Sequence, residues 1–242
     1  MNRLQISSTR LIAVFLFAAL FSGAYGSKAP NAKGLAAKAN PTAPSFISAK
    51  RYVVLGASAV TNTGGTAITG DLGVSSPGIS PTGFPPGTIT GRTHSGDASS
   101  ARAQIDLTPA YNSLAAKTCG TPLTGQDLGG RTLTQGVYCF TSSAQLTGKL
   151  TLSGNASSVF IFKIASSLNT ASNSSVIMTG GSRARNVYWQ VGSSATLGTG
   201  TAFKGNIVAL TSISLGTGAS LSGRALARNG AVTMDSNAIS MP

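Results

Sequence analysis

Apolar and small polar residues alternate in short bursts along most of this chain, with turn residues between the bursts. The pattern is clearest at the C-terminal end, where Val187 to Asn206, Ile207 to Arg224 and Ala225 to Pro242 align as a loose repeat. Each segment opens on an apolar strand and passes through a small or polar link to a Thr or Ser followed by Leu or Met. A turn and a third short alternating strand follow. The equivalent pairs are Thr196-Leu197, Ser214-Leu215 and Thr233-Met234. Val159 to Asn173 enters the same frame with Ser167-Leu168, and Tyr52 to Asp71 is a more distant copy. Period-two alternation over so few residues predicts half-buried strands. A repeat of 18 to 20 residues with three such strands predicts one coil of a triangular β-helix. Six residues at about 3.3 Å each make a side of roughly 20 Å before corners are subtracted. Coils stack at about 4.8 Å because each leaves its edges unpaired. Leu168, Leu197, Leu215 and Met234 are expected to form one inward column. The rival architecture is a β-sandwich, against which the near-constant repeat length argues.

One segment breaks the alternation. Gly96 to Lys117 reads as an amphipathic helix over 97–117, with Asp97 as N-cap and Ala98, Ala101, Ile105, Tyr111 and Leu114 marking its apolar face. Pro109 is expected to kink or split it. Such a helix is expected to lie along one side of the solenoid and to be structural.

The front of the chain is an address. Arg3 and Arg10 precede an apolar stretch from Leu11 to Phe21, too short to span a bilayer comfortably. Small residues at Ala24-Tyr25-Gly26, or at Ser22-Gly23-Ala24, suit cleavage. Residues 1–26 are therefore read as a signal peptide, with an uncleaved anchor as the alternative. Residues 27–45 read as an Ala/Lys/Pro linker, and 46–242 as the folded domain.

Composition fits this picture. Glycine fills 30 of 242 positions, aromatic residues are 6% and charged residues 10%. Many tight turns are available, and a thick aromatic core is not expected. The net charge of +13 comes from 18 Lys and Arg against five Asp and no Glu. The cations are scattered, with no run longer than Lys50-Arg51, and no basic stripe with interleaved aromatics predicts nucleic-acid binding. Two cysteines, Cys119 and Cys139, suggest a disulfide in an exported chain.

Catalytic chemistry is sparse. Asp71, Asp97, Asp106, Asp127, Asp235 and His94 are the whole set of carboxylates and imidazoles. Turns, a cap, a helix face and a coil corner account for the aspartates, and a loop or packing contact for His94. No Gly-x-Ser-x-Gly elbow occurs, and Gly198-Thr-Gly200 and Gly216-Thr-Gly218 lack the further glycine or lysine of a phosphate loop. Neither an enzyme, nor a metal site, nor a cofactor is expected.

The outward set near the coil corners is rich in small hydroxyls: Thr61, Thr63, Thr66, Thr170, Thr196, Thr199, Thr201, Ser214, Thr217 and Thr233. Threonine presents a methyl and a hydroxyl on a stiff side chain. Stacked ladders of it make a flat, uncharged, half-apolar surface suited to a partner made of ordered water. Threonine is also favoured in any strand, so composition alone leaves this open.

The residues carry more. Leu55 to Thr63, Ile68 to Val74, Gly83 to Gly87, Leu123 to Gly130, Gly136 to Phe140, Val159 to Phe162, Trp189 to Gly198 and Gly223 to Val232 together resemble the ice-binding (antifreeze) protein family of cold-adapted bacteria, diatoms and fungi. That resemblance implies an all-β fold with one flanking helix, a triangular right-handed β-helix with discontinuous coils and one long α-helix alongside. It also implies a capping region, here 118–145, which Cys119 and Cys139 would staple. It implies, further, one flat face adsorbing to ice, giving thermal hysteresis and ice-recrystallisation inhibition. Some members carry a Thr-Ala/Gly-x-Thr/Asn motif on that face. Thr63-Gly-Gly-Thr66 and Thr170-Ala-Ser-Asn173 match it, while Thr199-Gly-Thr-Ala202 and Thr217-Gly-Ala-Ser220 depart at the last position, which implies moderate activity. The candidate contact set is then the nine threonines and one serine above with Ser167, Asn173, Ser220 and Ser236. The expected partner is an ice crystal surface, with no nucleic acid, no membrane after signal cleavage, and the protein a monomer. The alternatives are a surface or biofilm adhesin module binding polysaccharide, and a structural exoprotein without a ligand.

Overall fold

In the structure, a computed structural model that describes residues 39–242, every strand pair is parallel. This excludes the sandwich, whose sheets are antiparallel. The strands line three faces of a coil stack. Face B is a six-stranded sheet in the order Ala144–Leu146, Leu168–Thr170, Ala195–Leu197, Ile213–Leu215, Val232–Asp235, Val60–Thr63. Faces A and C belong to one larger sheet because the strands Ala202–Ala209 and Ser220–Ala227 run through the corner between them. The bend is at Gly205, whose φ of 110° favours glycine and where a Cβ would sit 2.8 Å from the Val187 side chain.

The solenoid is discontinuous. The N-terminal coil stacks on the C-terminal one, with Val54 opposite Ala225, Thr61 opposite Thr233 and Ile68 opposite Ile239. The chain then has to reach the far end of the stack, and helix α1 (Ala98–Ala115) makes that crossing. Its 18 residues span about 27 Å at 1.5 Å per residue, enough to cross about six strands at ~4.8 Å.

Asp97 caps α1 as expected, accepting from Ser100 N at 2.8 Å. The helix runs through Pro109 as one element, so the expected split does not occur. Pro109 and Ile105, whose carbonyl loses its partner, are both exposed, and water can take the missing bond. The expected apolar face is also corrected. Tyr111 and Leu114 are buried, but Ala98 and Ile105 are exposed and Ala101 is only half-buried. The stripe that packs on face A is Ala103, Leu107, Ala110 and Leu114, against Leu55, Ile161, Tyr188, Val208 and Leu226. Those strands are buried on both sides, so their runs are apolar without alternation.

Hydrogen bonds from Ser100 N and from His94 hold the Asp97 carboxyl at about 2, well below its usual range. Because the folded value is depressed, the cap's contribution is present above about pH 4 and is lost as pH falls toward 2. Asp97→Ala is expected to cost about 1 kcal/mol at neutral pH, and that difference from the parent is expected to shrink steeply between about pH 4 and pH 2 and to disappear only below it. Thermal unfolding of both proteins across this range checks it.

The interior holds two columns per face-B strand. Leu197, Leu215 and Met234 share one with Leu146, but Leu168 lies in the other, beside Ala144 and Ala195. The expected single column is therefore corrected by two residues. The aromatics, although few, form a stack: Tyr138, Phe162 and Trp189 from three successive coils, and Phe203 from the same coil as Trp189, with centroids 5.3, 3.9 and 4.8 Å apart. A thin composition is thus concentrated into a true aromatic core.

Leu123 and Leu128, from the expected capping region, are buried against the end of this core. The disulfide Cys119–Cys139 ties the cap to the strand Gly136–Phe140. Replacing both cysteines by serine is expected to cost about 3 kcal/mol. Denaturant unfolding measures the loss, and amide exchange in 118–135 is expected to rise before exchange in the coils above.

The proposed signal peptide and the first part of the linker lie outside the described residues. The linker's end does not behave as one: Asn40 accepts from Val159 N at 2.8 Å and donates to Ser157 O at 2.9 Å. The folded unit therefore begins at least six residues before the expected Phe46 boundary.

Candidate functional site

Each face-B strand opens on a buried–x–buried triplet, so its middle residue points outward; the flanking residues are apolar except Thr170 and Asn62. Stacking brings these residues into one row: Thr82, Thr61, Thr233, Ser214, Thr196, Asn169 and Gln145. Thr233 Oγ1 donates to Ser214 Oγ at 2.9 Å along it. Two residues further along the strands Thr63 stands opposite Asp235 with Gly216 and Gly198 level with them, and the exposed Thr217 and Thr199 follow one residue later at the corner. Rungs about 4.8 Å apart make the outward row a regular polar ladder. On the other side, at the A/B corner, half-buried Ser143, Ser167, Ser194 and Ser212 tie the corner together. Ser143 and Ser167 bond each other at 2.9 Å, and Ser212 Oγ accepts from Ala231 N at 3.2 Å.

Charge is excluded from this face. Across 57–66, 141–148, 165–174, 192–201, 210–219 and 229–237, Asp235 is the one ionisable side chain. The cations sit elsewhere: Lys149 and Lys204 on face C, Arg224 and Arg228 on or beside face A.

The structure sorts the expected contact residues into five places. Thr61, Thr63, Thr196, Ser214 and Thr233 face outward on B. Asn173, Thr199, Thr217 and Ser236 sit exposed at the B/C corner. Ser167 is a corner serine, and Ser220 lies on face C between Ala202 and Ala238. Thr66, Thr170 and Thr201 are buried, at 0%, 7% and 0% exposure, so the expected outward orientation is corrected.

These three act as interior braces. The corner turns through a residue at positive φ (Gly64, Asn173, Gly200, Gly218 or Ser236), which takes backbone groups off the ladder and resets the in–out alternation. Thr66 Oγ1 accepts from Asn237 N, Thr170 Oγ1 accepts from Gly198 N, and Thr170 and Thr201 bond each other, all at 2.9 Å. The motif segments consequently do not form one ladder.

Thr82, Gln145 and Asn169 were missed. The frame signal for the last two was the serine before each triplet: Ser143, Ser167, Ser194 and Ser212 align, and they place Asn169 and Gln145 level with Thr196. The reading of Ser167-Leu168 against Thr196-Leu197 was off by two residues. The coil between Asn169 and Thr196 is 27 residues, against 18 from Thr196 to Ser214 and 19 from Ser214 to Thr233.

The other chemistry is local. His94, read as a loop or contact residue, lies in the strand Thr93–Ser95 with Nδ1 2.7 Å from Asp97 Oδ2. Its Nε2 is buried without a hydrogen-bond partner, and Ser99 Oγ bonds Tyr52 OH instead. Among the described residues no group of three His, Cys, Asp or Glu could hold a metal ion.

The profile of the family described as ice-binding-like matches residues 54–240. An ice-binding protein of Nostoc sp. (strain HG1) is 57% identical over 195 residues, covering 79% of this chain and 72% of that one. Of solved structures, an ice binding protein from an Antarctic biological consortium superposes with a TM-score of 0.82 at 47% identity, covering 85% of this chain and 94% of that one. The ice-binding protein of the Antarctic ascomycete Antarctomyces psychrotrophicus gives 0.80 at 42%, covering 83% and 99%.

Proposed function

Because this chain belongs to the ice-binding-like family, we propose that it adsorbs to ice through face B, pins the growth front, and so depresses freezing and inhibits recrystallisation. The observation that carries this reading is the outward row from Thr82 to Gln145, seven rungs long and without a charge. Its hydroxyl and amide groups hold water at fixed spacings, and the lattice then continues that water outward. The contact set in this proposal is Thr61, Thr63, Asn169, Gln145, Thr196, Thr199, Ser214, Thr217 and Thr233.

Export belongs to the proposal and rests on the 1–26 segment. No helix among the described residues is long and apolar enough to cross a membrane. Neither the family nor the relatives support the adhesin reading.

Growing single ice crystals in the purified mature protein tests the proposal. Faceted crystals and a gap between melting and freezing are expected, nearly unchanged by added salt because the row is uncharged. Rounded, freely growing crystals in a folded sample would overturn it.

A further inference from the structure

Two residues past the outward row, face B carries its one ionisable side chain, Asp235. Alternation in Val232–Asp235 puts Asp235 on the same side as Thr233, and it stands opposite Thr63 on the neighbouring coil. On its other flank Thr217 Oγ1 donates to Asp235 Oδ2, and Ser236 Oγ donates to Oδ1 at 3.1 Å. No cation pairs with it: the ion pairs among the described residues use Asp71, Asp97 and Asp106. A carboxylate therefore sits among the hydroxyls of Thr63, Thr217 and Ser236 on a face otherwise free of charge.

Two physical consequences follow from that placement. An ionised carboxylate only accepts hydrogen bonds, so each water beside it turns a proton toward it. A site in ice has to donate two bonds and accept two, which such a hydration shell does not satisfy. Adsorption then has to strip or distort water held by a charge, a costly step without a partner to replace it. The carboxylate also draws the Thr217 and Ser236 hydroxyls toward itself and away from the solvent layer.

We infer that Asp235 limits the ice affinity of this face, and that a neutral side chain at this one position strengthens it. The inference rests on face B being the adsorbing surface. The backbone there does not depend on the carboxylate, because Asp235 N donates to Asn237 Oδ1 at 2.7 Å and the buried Asn237 donates in turn to Gly216 O and Ala219 O.

The test compares the mature protein with Asp235→Asn, Asp235→Thr and Asp235→Ala, by thermal hysteresis at equal concentration and by partition into slowly grown ice. Asp235→Asn keeps the shape and an acceptor for Thr217 while removing the charge. Asp235→Thr repeats the residue opposite it, Thr63. Both are expected to bind ice about five-fold more tightly, with hysteresis rising accordingly and unfolding temperature unchanged. An active parent with Asp235→Asn no stronger than it would overturn the inference and leave the face-B reading standing. The inference falls equally if Asp235→Ala loses activity together with stability while Asp235→Asn matches the parent, since the carboxylate would then be a corner staple. A parent that leaves ice unshaped overturns the reading of the face itself.

Discussion

Tyrosine at both Thr196 and Thr233 is expected to abolish ice shaping while leaving the fold intact. Both side chains are exposed in the middle of face B, separated by the single rung of Ser214. A ring projecting from either lifts the face off any flat lattice plane by more than a water diameter. Contacts at the centre of a recognition surface dominate its affinity, so the pair is expected to cost about ten-fold or more in hysteresis. Circular dichroism and the unfolding temperature should match the parent. Thr201→Val is the counterpart. Thr201 is buried, and its hydroxyl bonds Thr170 Oγ1 and donates to Ala171 O at 3.2 Å. Its loss is expected to cost about 1–2 kcal/mol of stability and to leave ice shaping per folded molecule unchanged. Full hysteresis in the double tyrosine variant would move the contact surface off face B.

The largest stability effect is expected at Trp189. Its ring is fully buried, lies 3.9 Å from Phe162 and 4.8 Å from Phe203, and its Nε1 donates to Lys204 O at 3.0 Å. Trp189→Ala removes the middle of the aromatic column and the hydrogen bond to Lys204 O. A loss of about 3–5 kcal/mol is expected from the cavity, which lowers the melting temperature by about 10 °C or more in a domain of this size. Trp189→Phe keeps the stack and loses only the indole hydrogen bond, so it is expected to fall between the two. Thermal unfolding followed by near-ultraviolet dichroism measures both. A Trp189→Ala protein that melts with the parent would mean that the coils are held mainly by their backbone ladders.

Much of this molecule is written in short-range pattern. Triplets such as Ile213-Ser-Leu215 fix which residue of a strand points inward, because side chains alternate across a strand whatever surrounds it. Asp97 as a helix cap, the turn glycines, the near-equal C-terminal coils and the absence of charge from the hydroxyl-rich segments were equally legible. So was the pairing of the only two cysteines.

Distance along the chain hid the rest. Each B/C corner resets the alternation, so Thr201, five residues after exposed Thr196, could not be assigned to a side from period alone; it turned inward to satisfy a carbonyl at the turn. Ser167 and Leu168 were misframed because their coil carries extra residues at one corner, and only cross-coil pairing fixes which residue is level with Thr196. Helix α1 offers Ile105 and Leu107 as similar apolar candidates, and the position of face A beneath it decides that Leu107 is buried and Ile105 stays in water. The stacking of the first coil on the last is likewise a long-range choice, set by which edges remain unpaired once the helix has crossed the stack. The sequence by itself determined the family, the strands and the local in–out order. The tertiary structure alone decided which hydroxyls share a surface, because a shared surface depends on register between coils and no local pattern encodes it.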